Sequence, residues 1–372
     1  MITLLTCCLA ISASRQQGQG DIIARKYLDM PKGSIGQLYY QENKSPLEPP
    51  RRSPKKFGES KTPWEFPFIV GGYAHINGES IARDLRFRVY SQEQRGGRAA
   101  QVTQMLLRLW EYNAERVGLG HNPRYLGGLV DVFLCFGGKA GGEQLLDVEI
   151  GPEPERRILD VNTIYIYDMP SFTDPVEMAR EVAHEYGHAT WPHFGEFKDP
   201  EEWADGYLSE KIYLRWIREG LAKKELVPDD VMGATIEGID KWLAANVTPL
   251  VQKASVTQPT SALLADPSKA GMDAFIGLAL YVEGLFPGQV FGRSIRLIGS
   301  PYAKDYPDAV VLAAEEPKSV TLRIPPQFIR KAIWIPLGTG QLTGAPILKK
   351  AANGWVQVQV GANPIVITNT RD

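Results

Sequence analysis

Cysteine and histidine are both scarce in this chain of 372 residues, which holds three of the first and five of the second. Cys7 and Cys8 lie close to Met1, so removal of a leader would leave Cys135 alone and excludes an internal disulfide framework. Cys135 sits in the apolar run Val132-Phe133-Leu134-Cys135-Phe136. That is the setting of an inert buried thiol, not of a nucleophile. No apolar run is long enough to span a bilayer, which argues against a membrane span. Charge of one sign is missing too. Forty-one basic and 43 acidic residues leave a net −2, which gives no electrostatic case for nucleic acid as a partner. Internal repeats are absent. What remains is ordinary globular material, 44% hydrophobic and 23% charged, in a chain long enough for two domains.

The chain divides into four stretches. Residues 1–14, MITLLTCCLAISAS, are apolar and end in small residues, so they read as a signal peptide and imply a secreted or periplasmic protein. Residues 15–63 carry the Pro-rich, locally basic run Ser45 to Lys56 and read as an extended arm or linker. A main domain follows over 64–315, and a C-terminal β-domain over 316–372. In the latter, short strands at Val320–Ile324, Ala332–Ile335, Trp355–Val360 and Pro364–Thr368 alternate with Gly, Pro and Asn turns. Trp334 and Trp355 make it a candidate ligand-binding module, with core packing as the other reading.

Within 64–315 both periodicities occur. Leu85 to Tyr90 alternates as a half-exposed strand does. Val102, Met105, Leu106 and Leu109 mark an amphipathic helix over 98–117. Leu129–Phe136 and Asp160–Tyr167 read as strands. Gly137-Gly138 and Gly141-Gly142 flank Lys139 without the Gly-Lys-Ser/Thr ending of a phosphate cradle, so they read as a mobile loop near the cleft. Asp174 then caps a helix with Pro175 at its first position and Glu177 at its third, and Trp191-Pro192 ends it. The same logic starts another helix at Asp199-Pro200, and more helix is expected at about 229–252 and 270–285. The fold class that follows is α+β.

The chemistry is concentrated in His184-Glu185-Tyr186-Gly187-His188. Histidines four apart on a helix lie on one face about a turn apart, so their nitrogens can converge on one zinc ion. Glu185 points about 100° away around the helix and can reach a water on that ion without ligating it. It would take the water's proton as general base, and could pass it to the leaving amine. Catalytic zinc needs a third protein ligand. Glu201 and Asp205 lead: either Glu201 binds metal while Asp205 supports a ligand histidine, or Asp205 itself binds. Glu202, Glu210 and His193 are further candidates.

The segment from about Leu129 to Arg218 resembles the zincin superfamily of metallopeptidases and is most similar to its gluzincin branch, which includes the thermolysin-like enzymes. The resemblance implies a zincin-like domain with a mixed sheet, the active helix and following helices. It implies His184 and His188 as zinc ligands, Glu185 as base, and the Glu201 to Asp205 pair as third ligand and its support. It also implies an edge strand such as Thr163–Tyr167 that holds an extended substrate. The interval from His188 to Glu201 is short for this branch, and the third histidine of the metzincin pattern is missing at its required spacing. Tyr207, Tyr213 and Tyr281 are candidates for an oxyanion-stabilising group, each also readable as a core aromatic.

The function expected is therefore a zinc metallopeptidase with a peptide or protein substrate. Two alternatives stand beside it. One is a zincin-like fold that only binds, and the other is a zinc amidase acting on a cell-wall or other non-peptide bond.

Overall fold

A computed structural model of the chain describes residues 23–24, 38–40, 69–75, 85–91, 97–121, 130–150, 158–286, 289–298 and 302–369. The leader reading of residues 1–14 lies outside these, as does most of the arm. The protein is mixed α+β with small antiparallel sheets in addition to a larger one. It forms two compact units. The first is Met1–Glu111, Gly120–Thr190 and Trp216–Gly238; the second is Tyr112–Leu119, Trp191–Arg215 and Ile239–Asp372.

The first unit is built on a seven-stranded sheet. Its strands are β1 (Ile23–Ala24), β2 (Leu38–Tyr40), β3 (Ile69–His75), β4 (Leu85–Ser91), β5 (Val130–Leu134), β6 (Gly141–Ile150) and β7 (Ile158–Tyr167), in the order β1-β2-β3-β4-β5-β7-β6. Strands β1 to β4 run antiparallel, and β4, β5 and β7 run parallel. Strand β6 pairs antiparallel with β7 along its whole length and ends the sheet. Every residue of β5 is buried, as expected of a parallel strand covered on both faces. Helix α1 (Gly97–Tyr112) joins β4 to β5, and its expected stripe, Val102, Met105, Leu106 and Leu109, is fully buried.

Two expectations change here. Thr163–Tyr167 is no edge, because β7 is hydrogen-bonded to β5 on one side and β6 on the other. Gly141-Gly142 is no loop: it opens β6, which is last in the strand order of the sheet among the described residues. Glycine depresses strand propensity when read locally, but here both residues sit in ladder positions opposite Tyr167 and Ile166.

Helix α2 (Pro175–Thr190) carries the histidine motif and packs on β6 and β7. Asp174 Oδ1 accepts from the Val176 amide at 2.8 Å, the cap that the sequence predicts. Glu177 turns instead to Arg180, whose Nε donates to it at 2.8 Å. At the other end, Asn162 Nδ2 on β7 donates to Ala189 O at 2.9 Å. That bond satisfies a last-turn carbonyl and ties the helix to the sheet.

The second unit is mainly helical. It contains the loop Trp191–Ala204, the start of α3 (Asp205–Ala222) and most of α4 (Ile236–Asn246). Helices α5 (Thr248–Val256), α6 (Lys269–Leu285), α7 (Gln289–Leu297) and α8 (Tyr306–Glu315) follow. Two three-stranded antiparallel sheets belong to this unit as well. One orders β10 (Gln341–Thr343), β13 (Val366–Thr368) and β8 (Ser319–Thr321). The other orders β11 (Ile347–Lys350), β12 (Trp355–Gln359) and β9 (Ala332–Pro336). Trp334 and Trp355 are 5% and 0% exposed, and Trp355 Nε1 donates to Pro307 O at 3.1 Å. They fill the core, so neither offers the exposed ring of a ligand platform. Glu283 on α6 pairs with Arg215 at 2.7 Å. No described helix is long and apolar enough to cross a membrane.

Helix α3 begins at Asp205, later than Asp199-Pro200 predicts. The intervening residues fold back on themselves: the Ala204 amide donates to Phe194 O at 2.7 Å and the Phe197 amide to Glu202 O at 3.3 Å. The first bond of the helical type joins Leu208 N to Ala204 O at 2.8 Å. Glu201 therefore projects from a closed loop and not from the helix that holds Asp205.

Candidate metal centre

Helical geometry alone places His184 and His188 on one side of α2, and their rings meet there. The two Nε2 atoms are 3.2 Å apart, with ring planes 77° to each other. Two nitrogens on a tetrahedral zinc at about 2.0–2.1 Å each are separated by roughly 3.3 Å, so the pair is spaced as a shared ion requires. A neutral imidazole pair could share a single proton at the same distance. His184 is buried and His188 half-buried.

Among the described residues, the ligand atoms of His184, His188 and Glu201 lie within 4.8 Å of one another. This donor set, two imidazoles and a carboxylate, fits a divalent transition metal, and it is one of the recurrent sets for catalytic zinc. The other suggested ligands fall outside that group among the described residues. Asp205 is fully buried, and its Oδ2 lies 2.8 Å from His193 Nδ1. Glu210 pairs with Lys211 at 2.6 Å, and Glu202 is exposed.

Glu185 is 2% exposed and lies against the start of β6. A Cβ on Gly142 would come within 2.5 Å of Glu185 Oε1 and 2.7 Å of its Cδ. The strand backbone thus approaches the carboxylate closely because residue 142 has no side chain. Beside it, the Tyr167 hydroxyl donates to Glu143 Oε2 at 3.4 Å. Burial, followed by the neighbouring Glu143 and Glu185 carboxylates, pushes the Tyr167 phenol far above its ordinary range. It therefore stays a neutral donor. Burial alone raises the Cys135 thiol likewise, as an inert core cysteine requires.

The remaining motif residues anchor the helix. Tyr186 is fully buried, its hydroxyl 2.9 Å from His121 Nε2 and its ring 5.6 Å from that of Phe87 on β4. Of the tyrosines considered for oxyanion contact, Tyr213 accepts from Asn113 Nδ2 and Trp191 Nε1, each at 2.6 Å, inside the core. Tyr281 donates to Trp334 O at 2.9 Å, and Tyr207 carries the Lys211 ammonium 5.3 Å from its ring centre.

Sequence reasoning missed two features. Gly142 was hidden because a glycine pair reads as a loop. The His193–Asp205 pairing was hidden because the two residues are twelve apart and joined by a fold-back with no periodic pattern. No protein-family model matches the chain, and neither a curated protein nor a solved structure shows significant similarity to it.

Proposed function

We propose that this protein is a zinc-dependent hydrolase of peptide bonds, with His184, His188 and Glu201 holding the metal and Glu185 acting as general base. The observation that carries the reading is the convergence of those three ligand groups beside a buried glutamate on the same helix as the histidines.

A bound zinc ion would supply Lewis acidity, lowering the pKa of a coordinated water toward neutrality and polarising the substrate carbonyl. The protein's own residues do the rest. Glu185, next in sequence to a ligand and held against Gly142, accepts the proton of the attacking water. Strand β6, last in the order of the described sheet, begins at the same place, beside Glu185. Tyr167 holds Glu143 by a hydrogen bond next to Glu185.

The test is digestion of a broad peptide library by zinc-loaded protein, run beside cell-wall fragments. Zinc-dependent cleavage of peptides that disappears in Glu185→Gln, with zinc retained, is the expected result. Cleavage confined to cell-wall amides would redirect the substrate class, and stoichiometric zinc with no cleavage of either would make this a binding protein.

A further inference from the structure

The near-neutral charge of the whole chain conceals an uneven distribution. Residues 317–371 contain seven basic residues and no Asp or Glu, so the net −2 of the chain is +7 here and −9 elsewhere. Four of the seven, Arg330, Lys331, Lys349 and Lys350, are exposed on the sheet ordered β11-β12-β9. Backbone bonds bring their segments together at one end of that sheet. The Arg330 amide donates to Val360 O at 3.0 Å, the Val360 amide to Lys331 O at 2.9 Å, and the Gln359 amide to Pro346 O at 3.1 Å. The near ends of Ile329–Lys331 and Pro346–Lys350 are thus two strand spacings apart, about 10 Å. The same two segments expose Ile329, Ile347 and Leu348, at 47%, 37% and 50%. The register of β11 against β12 shifts between Ile347 and Lys349, a bulge that interrupts the alternation of faces, and both Ile347 and Leu348 stay in solvent.

We propose that this end of the C-terminal β-module is a docking surface for an anionic lipid bilayer, and that it holds the protein at a membrane without crossing it. The patch matches such a surface in two respects. Its charge is opposite to that of an anionic headgroup layer, and no acidic residue within 317–371 opposes the attraction. Its exposed aliphatics stand beside lysines, whose methylene stems can lie along the hydrocarbon boundary while the ammonium groups stay at headgroup level. Single-stranded nucleic acid is bound through exposed rings on which bases stack, and the aromatic residues of this stretch, Phe328, Trp334 and Trp355, are all buried. Any soluble polyanion would use the charges but leave the three aliphatics in water. The proposal is independent of the metal centre.

Flotation of the full-length protein with vesicles tests this assignment. With vesicles of equal parts phosphatidylglycerol and phosphatidylcholine, the protein should float at low salt. Binding should weaken severalfold or more at about 0.5 M salt, where charges are screened within a few ångströms. With phosphatidylcholine alone it should not float. A basic side chain near an anionic surface contributes about fivefold in affinity, so Lys349→Gln combined with Lys350→Gln should weaken binding roughly 25-fold. Leu348→Ser should weaken it severalfold and leave the salt dependence in place. All three positions are exposed, so the unfolding midpoints of the variants should match the wild type. Retention on immobilised heparin, a polyanion without hydrocarbon, separates charge from lipid. Failure to float with anionic vesicles, with or without retention on heparin, would overturn the proposal. So would equal flotation with neutral vesicles, or flotation that survives both sets of substitutions.

Discussion

His184 Nε2 and His188 Nε2 stand 3.2 Å apart, one helical turn from each other on α2. Two imidazoles at that distance either share one proton or share one cation. The Glu201 carboxylate lies within the same group of ligand atoms, and the reading proposed above takes the second option, in which a cation would use lone pairs from all three groups. The predictions below follow from that choice and from the way α2 is held.

Metal should stabilise the fold. A ligand that binds only the native state adds RT ln(1 + [L]/Kd), about 2.7 kcal/mol at a hundredfold excess over Kd. Denaturant unfolding with zinc and with chelator should therefore differ by a few kcal/mol for the wild-type protein. The difference should shrink by most of its value in Glu201→Gln.

Gly142→Ala should damage the base without removing the metal. The added methyl would meet the Glu185 carboxylate at about the distance of a covalent clash, so strand or side chain must shift. We expect a stability loss of ~1–3 kcal/mol, as for other overpacked sites. A fall in kcat should accompany it with zinc content unchanged. Parallel unfolding, kinetic and elemental measurements would show it.

Asp174→Ala should cost ~1 kcal/mol by removing the cap on the Val176 amide. The histidines lie in the later turns of α2, where Asn162 and Tyr186 hold the helix independently. Zinc affinity should therefore move little. Chemical denaturation and zinc titration of the variant would check both halves.

Much of this was legible in the sequence where the signal was local or periodic. The cap Asp174-Pro175, the stop Trp191-Pro192 and the spacing of His184 and His188 each express one turn of helix, and each appears where expected. The buried stripe of α1 and the apolar face of α6 follow from the same rule. Strand order was not legible. Which of β6 and β7 lies beside β5 is settled by long-range pairing, and the alternation of side chains along either strand is indifferent to it. The loop before α3 was also hidden. Asp199-Pro200 has the local chemistry of a helix start, but backbone bonds from Ala204 and Phe197 close the loop over it. Glu201 thus leaves that loop and Asp205 the helix, a difference that spacing alone does not reveal.

The most direct test is the zinc content of purified protein after exhaustive dialysis, measured by elemental mass spectrometry on the wild type, Glu185→Gln and His184→Ala. The account predicts one zinc per chain in the first two and almost none in the third. Full zinc in His184→Ala, or none in a zinc-reconstituted wild type, would contradict it.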